Sequence, residues 1–280
     1  MPTVLEVLQS STAYLQKRGV ESPRLNAEHL LAHVLGKKRI ELYLEFERPL
    51  DETELAPLRD FIKRRGQREP LQHLLGTVEF AGLILKCDKR ALVPRTETEE
   101  LVELLVQAAL SAQPLAILDV GTGSGAIALA LAHKFPNAAV HATDNSDDAL
   151  ALARENAARL ELTSRVIFSK SDLLSSVAHV YDLIVANLPY VAEHERTSLS
   201  PEVLLDPDAA VFGGEVGDEI IRRLIDVAPK SLKPNGLLAL EIGLGQDAAL
   251  CEYLAARNFH EIETKTDFRN VKRFIFARHG

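Results

Sequence analysis

The chain has 280 residues, 46% of them hydrophobic, which is enough to bury a large core and to form two domains. A formal net charge of −8 excludes a protein that grips nucleic acid through a broadly cationic face, although a local basic patch stays compatible with it. The 2 cysteines, Cys87 and Cys251, stand far apart without ligand spacing, which excludes a disulfide framework and a zinc site.

The N-terminal stretch MPTVLEVLQSS lacks the basic and apolar regions of a signal peptide. No apolar run reaches the roughly 18 residues that a membrane span needs. A soluble, cytoplasmic protein is therefore expected. The first 70 residues read as amphipathic helices. After Ser22-Pro23, an N-cap and first-turn pair, Ala27, Leu30, Leu31, Val34 and Leu35 recur at helical spacing and form one apolar stripe. His29 and His33 lie four apart on the same helix, but no third ligand accompanies them and no metal site is expected. A second helix opens with a capping box from Asp51 to Glu54 and turns Leu55, Leu58, Phe61 and Ile62 inward. Its end carries KRRGQR, residues 63 to 68, expected as a solvated last turn.

Residues 76–95 show short apolar runs broken by glycine and proline, the pattern of a hairpin and connector. The pattern then changes to alternating helices and strands, beginning with a capping box from Thr96 to Glu99 and the helix LVELLVQAAL. Strands are predicted at 115–120, 138–144, 165–172, 181–188 and 236–243, near-continuously apolar and mostly separated by helices, which indicates a parallel sheet covered on both faces. HEIETKTD and KRFIFARH follow with too few residues between them for a crossover, so they form an antiparallel hairpin and bring the strands to seven.

DVGTGSGAIALALA sets Gly121, Thr122, Gly123, Ser124 and Gly125 between a strand and a helix, where glycines let the backbone turn tightly against a ligand. Gly121, Gly123 and Ala126 also satisfy the dinucleotide pattern, with Asp144 at the end of the next strand, so an NAD-dependent oxidoreductase is the rival reading. Two features weigh against it. Asp119 stands where a dinucleotide loop would bring up a pyrophosphate, and a carboxylate suits a cationic sulfonium amino acid better. Asp172, followed by Leu173, adds a third acid at the carboxyl edge of the sheet. Asp119, Asp144 and Asp172 then match a cofactor held by its amino group, ribose hydroxyls and adenine amine. The fourth strand ends in Asn187, Leu188, Pro189 and Tyr190.

GTGSG, Asp144 and NLPY together resemble class I S-adenosylmethionine-dependent methyltransferases that act on amino groups. PLQHLLGTVEFAGLILKCDKRALVPRTETEELVE and GGEVGDEIIRRLIDVAPKSLKPNGLLALEIG resemble two segments of the glutamine N5-methyltransferases of peptide chain release factors, the HemK/PrmC family, and the resemblance covers essentially the whole chain. It implies an α/β fold: a seven-stranded, mostly parallel Rossmann-like methyltransferase sheet with a C-terminal antiparallel hairpin, preceded by a small all-α domain. The expected divisions are residues 1–75 for docking of the protein substrate, 76–95 as connector, and 96–280 as the catalytic domain. The resemblance implies S-adenosylmethionine as cofactor, bound by Asp119, Gly121 to Gly125, Asp144, Asp172, Leu173 and Asn187, and class I release factors as substrate. A monomer without stable nucleic-acid binding is expected.

The family's usual Pro-Pro is Leu188-Pro189 here, and its IPRPETE reads VPRTETE at 93–99. NLPY is also the form found in ribosomal RNA adenine dimethyltransferases, which makes adenine N6 methylation of RNA or DNA the second alternative. For a glutamine substrate, the Asn187 side-chain oxygen and the Leu188 carbonyl each accept one amide N–H and orient the nitrogen. Pro189 fixes the turn and Tyr190 packs its ring on the planar amide. Leucine at 188 keeps the carbonyl that this role needs. A cofactor-binding scaffold without turnover is the non-enzymatic alternative.

Overall fold

Helices α1 (Val4–Lys17), α2 (Pro23–Leu35), α3 (Glu52–Gly66) and the short α4 (Leu71–Leu75) build the first of two units, Met1–Thr77, in a computed structural model that describes residues 1–108 and 115–280. Their apolar stripes meet around Leu8, Leu15, Leu30, Leu31, Leu42 and Leu50. The Asp51 capping box is present: its carboxylate accepts from the Thr53 and Glu54 amides, and Glu54 reaches back to the Asp51 amide. Ser22 behaves differently from its expectation. Its backbone is left-handed, with φ 47°, and its side chain caps nothing, so Pro23 alone marks the start of α2.

The basic cluster is not simply solvated. Arg65 is only 5% exposed, with Nε donating to Asn26 Oδ1 at 2.8 Å and Nη1 to the Glu69 carbonyl at 3.2 Å. Arg64 pairs with Glu69 through two bonds of 2.6 and 2.8 Å. These cations tie α3 to α2 and to the following loop, a use that a charge run does not reveal.

The second unit, Val78–Gly280, opens with the hairpin β1 (Thr77–Phe80) and β2 (Leu83–Lys86) and helix α5 (Thr96–Gln107). Helix α5 has Arg95 at its N-cap without a side-chain bond, so Thr96 is already helical and the expected Thr96 capping box is absent. Residues 109 and 110, expected to end this helix, lie outside the described residues. Next come β3 (Ala116–Val120), α6 (Ala126–Lys134), β4 (Ala139–Asp144), α7 (Asp147–Arg159), β5 (Val166–Lys170), β6 (Tyr181–Asn187) and β7 (Val191–Ala192). The chain continues through α8 (Asp208–Val211), β8 (Phe212–Gly214), α9 (Glu219–Val227), β9 (Leu232–Glu241), α10 (Asp247–Ala255), β10 (Phe259–Thr266) and β11 (Lys272–His279).

The seven-stranded sheet has the order β10-β11-β9-β6-β3-β4-β5. Strands β9, β6, β3, β4 and β5 run parallel, while β11 is antiparallel to both β9 and β10. Both faces are covered, which is why the strands read as unbroken apolar runs. Ile117, Leu183, Val185 and Phe274 face the core beneath α5 and α6. Leu118, Ile184, Leu238 and Ile275 face α9 and α10. The chain moves outward from β3 through β4 to β5 and then returns to β6 on the other side of β3. That reversal opens a crevice at the carboxyl ends of β3 and β6. Among the described residues, no helix is long and apolar enough to cross a membrane.

Candidate active site

The crevice holds a cavity lined by Gly121, Thr122, Gly123 and Ser124 after β3, by Asp144 at the end of β4, by Asp172 and Leu173 beyond β5, and by Asn187, Leu188 and Pro189 after β6. The fold thus brings together four separate loops that the sequence singled out. Asp119, Gly125 and Tyr190 are not among the lining residues and stand behind its wall.

The loop after β3 is held by the Gly121 and Thr122 amides, both donating to the Thr143 carbonyl at 2.8 and 2.9 Å. Gly121 has φ +73°, and a Cβ there would come 2.7 Å from Leu188 Cδ2. Leu188 therefore lies directly over the glycine, and its side chain occupies the space a larger residue at 121 would need. Asp144 anchors the same loop, its two oxygens accepting from the Gly123 amide at 2.8 Å and the Ser146 amide at 2.9 Å. Each carboxylate oxygen keeps a further lone pair for a ligand hydroxyl.

Asp119 is 0% exposed. One of its oxygens accepts from Thr122 Oγ1 at 2.6 Å and from the Ala128 amide at 3.1 Å, while Oδ1 has no partner among the described residues. Burial pushes its pKa up to about 7, against the two hydrogen bonds that favour the charged form. An orphaned, desolvated carboxylate oxygen behind the glycine loop fits a ligand that brings an ammonium group and disfavours one that brings a pyrophosphate.

At the opposite wall, Asn187 Nδ2 donates to Thr98 Oγ1 at 2.9 Å, and Thr98 Oγ1 donates to Glu241 Oε2 at 2.8 Å. Tyr190 meets the other Glu241 oxygen at 3.4 Å, and burial raises the Tyr190 pKa well above its ordinary value. The tyrosine thus braces the loop end from behind, in place of the expected packing of its ring on a substrate amide in the cavity. The exit from β6 is also packed by the late glycines. A Cβ on Gly213 would lie 2.4 Å from the Pro189 carbonyl and 2.1 Å from that of Gly217, so β8 can approach this turn only with glycine there. Gln246 Nε2 completes the support by donating to the Tyr190 carbonyl at 2.9 Å.

Sequence reasoning missed several residues. Thr98 and Glu241 sit inside the segments VPRTETE and LALEIG, but nothing in either segment reveals that they meet. Arg95 lines the cavity and is held by buried Asp206 at 2.7 Å, which also accepts from the Val93 amide at 3.3 Å. Asp172 is paired with Arg223 at 2.7 Å, so a second cation from α9 stands at this rim. Strand β5 ends at Lys170, and Asp172 belongs to the loop beyond it, a shift of two residues from the expected end.

The family model of a PrmC N-terminal domain matches residues 6–76, and that of a methyltransferase small domain matches residues 96–209. The chain is 39% identical over 280 residues to a release factor glutamine methyltransferase of Geobacter sulfurreducens, covering 99% of this chain and 97% of that one. It is 41% identical over 273 residues to a protein of the same name from Deinococcus radiodurans, covering 98% and 97%. Among solved structures, a ribosomal protein L11 methylase from Lactobacillus delbrueckii subsp. bulgaricus superposes with a TM-score of 0.52 at 28% identity, over 68% of this chain and 82% of that one.

Proposed function

Because the chain belongs to the release factor glutamine methyltransferase family, we infer that it methylates the side-chain amide nitrogen of the glutamine in the Gly-Gly-Gln loop of class I peptide chain release factors. The observation that carries the chemistry is the single cavity shared by the glycine loop and by Asn187, Leu188 and Pro189. S-adenosylmethionine suits the first half of it and supplies, when bound, an electrophilic methyl group on a sulfonium. Asp144 would take its ribose hydroxyls, and Gly121 to Ser124, Asp172 and Leu173 would frame the rest, while the buried Asp119 would attract its ammonium from behind the glycine loop and Gly125 would shape that loop.

A glutamine nitrogen is a weak nucleophile because its lone pair is delocalised into the carbonyl. Asn187 Oδ1 and the Leu188 carbonyl accept its two N–H groups, which fixes the nitrogen in place and raises its electron density. No strong base is required. The nitrogen gains positive charge as it acquires the methyl group, and its acidified proton then leaves to water. Pro189 keeps the turn rigid and Tyr190 supports it through Glu241. Residues 1–75 are assigned to docking of the release factor, 76–95 to the connector and 96–280 to catalysis. The unit boundary after Thr77 and the family-model match ending at residue 76 support the first of these boundaries, and the methyltransferase match beginning at residue 96 supports the second. A cytoplasmic monomer without stable nucleic-acid binding completes the reading.

The test is incubation with methyl-labelled S-adenosylmethionine and a release factor, its loop Gln→Ala variant, or ribosomal RNA. Label in the intact release factor alone is expected. Label in RNA would transfer the chain to adenine chemistry, and cofactor binding without any transfer would make it a scaffold.

A further inference from the structure

Asn187 can serve as an acceptor only if its amide oxygen, and not its NH2, faces the substrate. The two ends of the amide are nearly the same size, so packing alone selects weakly between them. The hydrogen bonds behind Asn187 do select. Thr98, in the first turn of α5, is 4% exposed, and Glu241, the last residue of β9, is 1% exposed. Asn187 and Glu241 are register partners on neighbouring parallel strands, so both side chains leave the same face of the sheet, towards Thr98.

A hydroxyl has one proton to give. An ionised carboxylate can only accept, so the Thr98 proton is committed to Glu241 Oε2 at 2.8 Å. The remaining lone pairs of Thr98 Oγ1 can only receive, and the Asn187 group that meets them at 2.9 Å is then Nδ2. Its Oδ1 points away from Thr98 and accepts no hydrogen bond among the described residues.

We propose that Thr98 and Glu241 are positioning residues that lock the Asn187 amide with its oxygen towards the cavity, and so determine that the site selects a substrate bearing N–H donors. This rests on the reading of Asn187 as acceptor for the glutamine amide. The lock depends on charge at Glu241. A protonated Glu241 can donate to Thr98, which frees the hydroxyl proton for Asn187 and lets the amide turn over. Tyr190 from the loop after β6, Arg273 from β11 and Glu97 from α5 are the polar groups facing Glu241. Burial raises the Glu241 pKa to about 7, ahead of the opposing effects of Thr98 and Arg273.

Four proteins test the lock at saturating cofactor and release factor: wild type, Thr98→Val, Thr98→Ser and Glu241→Gln. Thr98→Val, which keeps the volume and removes the hydroxyl, is expected to lower kcat by about tenfold or more, the effect of losing one orienting hydrogen bond. Its cofactor affinity stays at the wild-type value. Thr98→Ser is expected to restore most of the rate. Wild-type kcat should rise with pH through about 7, and Glu241→Gln, which has no charge to titrate, should flatten that rise. Wild-type turnover in Thr98→Val overturns the proposal, as does a loss that serine leaves unrepaired or a kcat profile unchanged in Glu241→Gln. If Asn187→Ala is inactive while Thr98→Val is fully active, the lock fails and the acceptor role stands; if Asn187→Ala is itself fully active, the underlying reading fails.

Discussion

At the residue scale, the departure from the family pattern at Leu188 can be understood from its surroundings. Leu188 offers a main-chain carbonyl, as proline would, and its side chain rests on Gly121. Leu188→Pro is therefore expected to keep methyl transfer within about threefold of wild type, since a role carried by a carbonyl survives a change of side chain. Loss of activity in a steady-state assay would show that the isobutyl group matters. Asp119 makes a different demand. Its carboxyl has a pKa of about 7 in the cofactor-free protein, above the ordinary 3.8, because burial penalises the charge. An ammonium ligand binds the ionised form. Cofactor affinity should therefore fall as pH drops below about 7, by up to about tenfold per pH unit for one ionisation. Calorimetric titration across that range should find the slope in wild type and not in Asp119→Asn. The stability linkage has the matching sign. A raised acidic pKa stabilises the cofactor-free fold below the unfolded value and loses that contribution as pH rises through about 7.

At the scale of elements, most strands were legible because a doubly covered parallel sheet leaves them apolar on both sides. The C-terminal hairpin was legible for another reason, the shortness of the link between HEIETKTD and KRFIFARH. Helix starts were harder to read. Asp51 caps as its sequence suggests, while Ser22 and Thr96, equally good by residue type, do not, because cap geometry depends on the approach of the preceding chain. Asp51→Ala should cost about 1 kcal/mol, with a range of roughly 0.5 to 2, in the denaturant-induced unfolding of the first unit. The β7/β8 pair had no periodic signal, since two or three residues carry none. Its requirement is nevertheless sharp. Gly213→Ala places a Cβ against the Pro189 and Gly217 carbonyls and should displace the turn that follows Asn187. An expected loss of about 100-fold in methyl transfer, the cost of misplacing a positioning group by about 1 Å, is to be measured beside unchanged cofactor binding. Normal turnover would show that β8 can retreat freely.

At the scale of the molecule, the site was legible in parts and not as a network. The glycine loop, the acids and NLPY all stand at or near the carboxyl ends of strands, and the sheet's reversal between β5 and β6 explains why they converge. Thr98 and Glu241 lie 143 residues apart, and no local pattern predicts that one hydroxyl joins them to Asn187. Arg95 and Arg223, and their pairing with Asp206 and with the already expected Asp172, escaped notice for the same reason. Methyl transfer in this reading turns on Asn187 acting in the transition state, over and above its expected contact with the cofactor. Single-turnover transfer to an intact release factor, with cofactor affinity measured in parallel, separates the two in the Asn187→Ala protein. The prediction is a rate reduced by about 100-fold or more with cofactor affinity within roughly tenfold of wild type, the range for removal of a transition-state hydrogen-bond partner. A near-normal rate, or a loss seen only as weaker cofactor binding, would contradict it.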